Sequence, residues 1–373
     1  MGRVGLLVAE MLRVAGFDVR AVDRVPQDCS IPCEVFDVSN ASRLASVLKD
    51  VDAVILCLPH ADSCQVAEIS ASLGINYFDL TEDVMASAYI RTALASEHVV
   101  LAPQCGLAPG LVSIVGGYLA TQYDTVHSID LKVGALPWYP TGRSGYSVTW
   151  SAEGLVNEYI QPCDVIRGGS RLAIPALSGL ESIEIDGVAF EACLTSGGLG
   201  TLGESLDGRI MDLSYKTLRY PGHFAFVRYL LEDLQLRDKP KVAAAALVRA
   251  YPPVDEDVVY LHAAATGTRG GITSRTEYGR VWRPIEFCGR RWRAISWTTA
   301  ASLCGVVELV RAGAFGPGVL RQESIALESF SQTLGGKLLE KYSRSTTEGV
   351  DAARDLRGLA EPTSVGAPDG RPR

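Results

Sequence analysis

The sequence predicts an α/β fold: a doubly wound parallel sheet, followed by a second α/β domain built on a mixed, largely antiparallel sheet. Three observations carry this. Through about residue 120, short apolar segments of strand length alternate with segments of helical period, the pattern of right-handed βαβ units. Beyond about residue 126 the apolar segments lengthen and alternate residue by residue, as half-buried antiparallel strands do. The chain has 373 residues, 47% hydrophobic and 21% charged, enough core for about two domains.

The elements follow in order. Residues 6–15 (LLVAEMLRVA) space their apolar side chains for a helix that stops at Gly16. FDVRAVDR alternates as a strand and CEVFDV is a second short strand; ASRLASVLKD is a helix. DAVILCLP (52–59) is apolar almost throughout, as in a strand buried on both faces. SCQVAEISASLG (helix), NYFDL (strand), MASAYIRTALASE (helix), HVVLAP (strand) and GLVSIVGGYLATQY (helix) continue the alternation.

In the second half TVHSIDLKVGALP, YSVTWS, ESIEIDGVAFEACLT, VVYLHAAATGT, TSRTEYGRVWRPIEF and RRWRAISWTT read as strands, with one helix over 222–236 inserted among them. TTAASLCGVVELVRAG (298–313) has a threonine start and a glycine stop for a further helix. From 344 the chain turns rich in charge, Pro, Gly and Ser and reads as a disordered tail. The expected divisions are a dinucleotide-binding domain at 1–125, a substrate and dimerisation domain at 126–296, a return helix and closing segment at 297–343 that pack on the first domain, and the tail at 344–373.

Composition excludes several function classes. Thirty-five Lys and Arg against 43 Asp and Glu leave a net charge of −8, which disfavours nucleic acid and anionic membrane as partners. The nine cysteines are scattered, odd in number and free of any C-x-x-C pair, so reduced thiols and a cytoplasmic location are expected. The five histidines have no metal-site spacing with them, and no metal is expected. Glu10 and Arg13 interrupt the N-terminal apolar stretch, and no apolar run reaches the about 20 residues of a membrane span.

Chemistry enters at the N-terminus. Gly2 and Gly5, followed by a helix, match the last two glycines of a G-x-G-x-x-G dinucleotide fingerprint. Gly5 lets the helix pack close to the sheet, and the Arg3 and Val4 amides point toward a pyrophosphate at the helix N-terminus. Asp23 ends the next strand, 23 − 5 = 18 residues beyond Gly5, near the spacing at which an acidic side chain meets the ribose hydroxyls. NAD is therefore the expected cofactor, although Arg24 offers a partner for the 2′-phosphate of NADP. Leu58 and Pro59, ending DAVILCLP, would flank the nicotinamide ribose. The fold so predicted is Rossmann-type, with its first strand and first glycine missing. That strand is central in the usual order, so the natural start is expected roughly eight residues upstream.

A second constellation lies in DLSYKTLRYPGHF (212–224), where Tyr215, Lys216, Arg219 and His223 crowd together. Arg219 offers a bidentate fork for a carboxylate, or else a structural ion pair. Lys216 would be a second positive charge or a base, or simply an exposed lysine; His223 a base, or a structural hydrogen bond at a helix start. Asp79, at the end of NYFDL, would hold an ammonium group or cap the next helix. Cys105 would line the nicotinamide site or sit inert, and Trp150 and Ser151 would shape a substrate pocket.

Together with PQCGLAPGLVSIV (103–115), WSAEGLVNEY (150–159), TSGGLGTL (195–202) and GVLRQESIALESF (318–330), this stretch resembles the saccharopine-dehydrogenase-like superfamily, most nearly its L-lysine 6-dehydrogenase (lysine ε-dehydrogenase) branch. The likeness runs to about residue 343. It departs in the missing first strand and in LTED (80–83), which is Gly-rich in some lysine dehydrogenases. The resemblance implies NAD-dependent oxidative deamination of the ε-amine of L-lysine to the 6-semialdehyde, which cyclises to piperideine-6-carboxylate, in a homodimer. The alternatives are reductive condensation, as in saccharopine reductase or carboxynorspermidine dehydrogenase, and an inactive binding or regulatory homologue.

Overall fold

The computed structural model describes residues 2–26, 30–58, 60–94 and 98–346. Pro59 and nearly all of the expected tail fall outside them. The first elements are α1 (Arg3–Val14), β1 (Ala21–Asp23), β2 (Cys33–Val35), α2 (Ala41–Leu48), β3 (Ala53–Leu56), α3 (Ser63–Leu73), β4 (Asn76–Asp79), α4 (Val84–Ala93), β5 (Val100–Ala102) and α5 (Leu111–Ala120). Their order is the one the alternation predicts. All the strand pairs among them are parallel.

Among the described residues β1 pairs only with β2, whereas β3 is one edge of a separate sheet with β4 and β5. Val22 of β1 nevertheless packs on the apolar cluster that contains Leu56, Val66 and Tyr77. The two sheets thus share a core, and among the described residues no strand joins β1 to β3.

The second half contributes β6 (Thr125–Pro137), α6 (Ala152–Ile160), β7 (Cys163–Arg167), β8 (Ser170–Ile174), β9 (Glu181–Ile185), β10 (Val188–Leu194), α7 (Leu202–Ser205), β11 (Asp212–Arg219), α8 (His223–Arg228), α9 (Pro240–Ala250), β12 (Asp257–Arg269), β13 (Ile272–Trp282), β14 (Ile285–Phe287), β15 (Arg290–Trp292) and α10 (Ala294–Arg311). The chain closes with β16 (Gly318–Val319), α11 (Leu327–Ser331), α12 (Leu334–Lys341) and β17 (Ser343–Ser345). Nine strands form one mixed sheet whose main path is β17-β13-β12-β6-β11-β10-β9. β6 and β11 run parallel; every other described pair in this sheet is antiparallel.

α10 carries Trp297, Ala300, Ala301, Leu303 and Cys304, all fully buried, in one core cluster with Leu7, Val8, Met11 and Leu12 of α1. β16 then adds in parallel to β5, so the end of the chain extends the first sheet.

Three sequence expectations need correction. YSVTWS is extended but joins no ladder: Tyr146, Val148 and Thr149 are all buried, and the Val148 amide bonds instead to the Tyr251 carbonyl at 3.1 Å. RRWRAISWTT is a strand only to Trp292. The helix begins at Ala294 because the Asp257 carboxylate accepts the Ala294 and Ile295 amides at 2.6 and 2.9 Å. This cap comes from another element and leaves no local signal. The helix expected at 222–236 is α8 followed by a π-helical turn, Tyr229–Asp233.

Candidate active site

β11 lies between β6 and β10 and is buried on both faces, so alternation along it sorts its side chains. Tyr215 and Arg219 share one face and Lys216 is on the other. Lys216 Nζ stands 3.0 Å from Glu181, which also pairs with Lys132 at 3.2 Å. Lys132 is the direct cross-strand neighbour of Lys216, and Glu181 bridges the two like charges. Lys216 thus belongs to a charge cluster across the sheet from Arg219.

Arg219 is 2% exposed. Its Nε donates to the Tyr159 hydroxyl at 3.0 Å and its Nη1 to the Leu218 carbonyl at 2.9 Å. The guanidinium carbon lies 4.7 Å from the centroid of the Tyr146 ring. Among the described residues Arg219 forms no ion pair, and its Nη2 has no hydrogen-bond partner. Burial alone would lower its pKa, but Tyr159, Tyr146 and Glu158 outweigh it, and the group stays charged.

His223 is 1% exposed and closes this arrangement. Its Nε2 lies 3.0 Å from the Tyr159 hydroxyl and its Nδ1 3.1 Å from the Ser144 carbonyl. Burial, reinforced by the Arg219 charge, pushes its pKa down to about 3. The imidazole is neutral, and neither nitrogen is left for a substrate. Gly145 has φ +56, and this left-handed turn sets the Ser144 carbonyl on His223 while Tyr146 covers Arg219.

α6 faces this cluster with two stripes of period four. Leu155 and Tyr159 point into the apolar cluster that holds Phe224 and Val227; Gly154 and Glu158 form the other stripe. A Cβ on Gly154 would come within 2.5 Å of Glu82 Oε1 and 2.7 Å of the Trp150 ring, so only glycine admits Glu82 here. Glu82 comes from the loop after β4, in LTED, so a loop of the first parallel sheet meets α6 at this point. Burial pushes Glu158 up to about 8; Arg219 opposes the shift and Glu82 adds to it. Two carboxylates and one arginine, each from a different element, therefore converge.

The other sequence-predicted residues take these places. Ser151 caps α6, accepting the Gly154 amide at 3.0 Å, and Trp150 Nε1 donates to the Tyr146 hydroxyl at 3.2 Å. Tyr215 is buried against Gly198 of the TSGGLGTL loop. Asp79 is buried, with its carboxylate accepting the Thr81 and Gln104 amides at 3.0 and 2.8 Å and the Tyr77 hydroxyl at 2.7 Å. Burial raises its pKa against those three donors. Its oxygens tie the ends of β4 and β5 together. Cys105 is also sealed: its thiol donates to the Ala102 carbonyl at 3.0 Å and accepts from Gln322 Nε2 at 3.3 Å.

At the N-terminus, α1 follows Gly2 as N-cap with no side-chain cap, and among the described residues nothing lies within 4 Å of the Gly2 Cβ position. No backbone partner takes the Arg3, Val4 and Gly5 amides among the described residues. The Arg3 side chain donates to Asp255 at 2.9 Å, tying this helix start to the segment before β12. Asp23 accepts the Val25 amide at 2.9 Å, Arg24 stands 3.9 Å from Asp37, and Leu58 is 38% exposed after β3. A cleft of about 650 Å³ beside residues 173–178, Arg228 and Arg237 contains none of these residues.

Sequence reasoning missed Glu82, Tyr146, Glu158 and Tyr159. WSAEGLVNEY held the signal for two of them, since Gly154/Glu158 and Leu155/Tyr159 are i,i+4 pairs.

Comparison with known proteins agrees with this architecture. Residues 106–341 match the family model described as the saccharopine dehydrogenase C-terminal domain. The chain is similar in fold to apo saccharopine dehydrogenase (L-Glu forming) from Saccharomyces cerevisiae, with TM-score 0.66 and 15% identity over 91% of this chain and 97% of that one. It is also similar to the homospermidine synthase of Legionella pneumophila in complex with NAD, with TM-score 0.63 and 13% identity over 92% and 89%. The matched family model covers more than half of the sequence, and the chain belongs to the saccharopine dehydrogenase family of NAD(P)-dependent oxidoreductases.

Proposed function

We propose that the protein oxidises the ε-amine of L-lysine, using NAD. The carrying observation is Arg219: a buried guanidinium with no ion pair among the described residues, with the Glu158 carboxylate acting on it and Glu82 acting on Glu158. A buried charge without a partner is costly, and a bound anion relieves that cost. Lysine brings one carboxylate for Arg219 and cationic amines for Glu82 and Glu158.

The residues present fit a nicotinamide dinucleotide. The uncapped start of α1 suits a pyrophosphate, and Asp23 at the end of β1 suits the ribose hydroxyls. In this reading residues 1–125 and 297–343 hold the cofactor and 126–296 the substrate. The cofactor, when bound, supplies the hydride acceptor. Arg219 holds the α-carboxylate through Nη2 and the free hydrogen of Nη1, which fixes the reach of the side chain. An ε-ammonium cannot release hydride until it loses a proton, and Glu158, poised near 8, takes it. Glu82 keeps the amine end oriented from the opposite domain. Asp79, Lys216 and His223 support this site and do not transfer the proton.

The test is NAD reduction with L-lysine and identification of the product. The cyclic imine piperideine-6-carboxylate supports the assignment; the α-keto acid sinks it. Faster NADPH-driven condensation of an amine with a semialdehyde would move the protein to that reaction instead.

A further inference from the structure

The hydrogen bonds around Arg219 run in one direction, fixed by chemistry. Arginine has donors only, so Nε–H donates to the Tyr159 oxygen at 3.0 Å. The Ser144 carbonyl accepts only, so His223 Nδ1 carries a hydrogen and donates to it at 3.1 Å. In a neutral imidazole Nε2 is then the acceptor, and the Tyr159 O–H donates to it at 3.0 Å. The chain reads Arg219 to Tyr159 to His223 to Ser144, each donating to the next.

We propose that Tyr159 and His223 are positioning residues that set the guanidinium plane of Arg219 for the substrate carboxylate. The inference deepens the proposed function and rests on it for the ligand. Arginine has several rotatable bonds, and fixing its plane before binding avoids that ordering cost when the carboxylate arrives. The Tyr159 bond fixes Nε and the Leu218 carbonyl fixes one hydrogen of Nη1. The Tyr146 ring lies against the guanidinium, with its centroid 4.7 Å from the guanidinium carbon. Among the described residues, Nη2 and one Nη1 hydrogen are left as donors for a carboxylate. His223 contributes by keeping the tyrosine hydroxyl turned so that its lone pair meets Nε–H. A hydroxyl without that acceptor is free to rotate.

The experiment measures calorimetric binding to the NADH-loaded protein, in which the amine is not oxidised, of L-lysine, 6-aminohexanoate and 1,5-diaminopentane. The first two carry a carboxylate and the third does not. Tyr159→Phe should weaken both carboxylate ligands about tenfold and leave 1,5-diaminopentane within about twofold. His223→Leu should behave like Tyr159→Phe, whereas His223→Gln, which keeps an acceptor near Nε2, should recover most of the affinity. Equal losses for all three ligands would mean a merely structural role and would overturn the proposal, as would unchanged carboxylate binding.

A second readout is the Arg219 Nε–H proton magnetic resonance, which should exchange slowly in the wild type and fast in Tyr159→Phe. If none of the three ligands binds the wild type, the lysine reading fails. The resonance still decides the proposal: equal exchange in both proteins overturns it.

Discussion

The Arg219 Nε–H donates to the Tyr159 hydroxyl at 3.0 Å, linking the last residue of β11 to the last turn of α6. This bond fixes the orientation of a buried cation without neutralising it. The charge is left for a ligand.

Arg219→Ala should raise KM for lysine by about 100-fold with a smaller effect on kcat, because the anchor acts in ground and transition states alike. Arg219→Lys should recover little of this, since a point charge replaces a planar fork. Steady-state kinetics with lysine and with 1,5-diaminopentane check it. The loss should be confined to lysine.

Glu158 governs the pH profile. Its pKa is raised from the ordinary 4.5 to about 8, chiefly by burial. The base form accumulates only above that, so kcat/KM should rise with pH and level off past about 8; Glu158→Gln should lose the limb and most of the rate. Stability carries the opposite sign. The folded state binds the extra proton between pH 4.5 and 8, so the group's contribution is full at acid pH and falls as pH rises, by up to about 1.4 kcal/mol per unit. Glu158→Gln should therefore be less active yet more stable than the wild type at pH 9, which urea titrations across pH will show.

His223 has a pKa lowered to about 3 from the ordinary 6.5 by burial and by Arg219. Its contribution to stability is complete above 6.5 and is lost as pH falls toward 3, about 3 kcal/mol by pH 4. His223→Gln should be the less stable protein at pH 7, and the gap should narrow or reverse at pH 4. A gap that widens on acidification would contradict a buried neutral imidazole.

Asp23 should select the cofactor. Asp23→Ser should weaken NAD binding about tenfold and narrow the preference over NADP, measured by fluorescence titration of the reduced forms. Tighter binding of NADP than NAD by the wild type would overturn this assignment.

Much of the fold was legible because its first half is strictly local. Gly stops, helical spacing and short apolar strands placed α1 through α5 in the right order. The site was less legible because its parts meet only in three dimensions. Lys216 and Arg219 look like one cluster in the sequence, but three residues along a strand is opposite faces. β11 itself, with KTLR at its end, looks polar enough for a loop; it is a central strand because each charge finds a partner or a pocket. Asp257 caps α10 from 37 residues away. Glu82 approaches α6 only because Gly154 lacks a side chain. Arg219 was identified by its type, while the tyrosines that hold it sit in a segment expected as a strand and in WSAEGLVNEY, far from it along the chain.

The most direct measurement follows the hydrogen that leaves the substrate. L-lysine deuterated at C6 is incubated with the protein and NAD, and the reduced cofactor is examined by mass spectrometry. The account predicts deuterium in the NADH and a primary isotope effect on single-turnover reduction, with neither seen for lysine deuterated at C2. Deuterium arriving from C2 would contradict it, as would a wild-type protein that reduces no NAD with lysine.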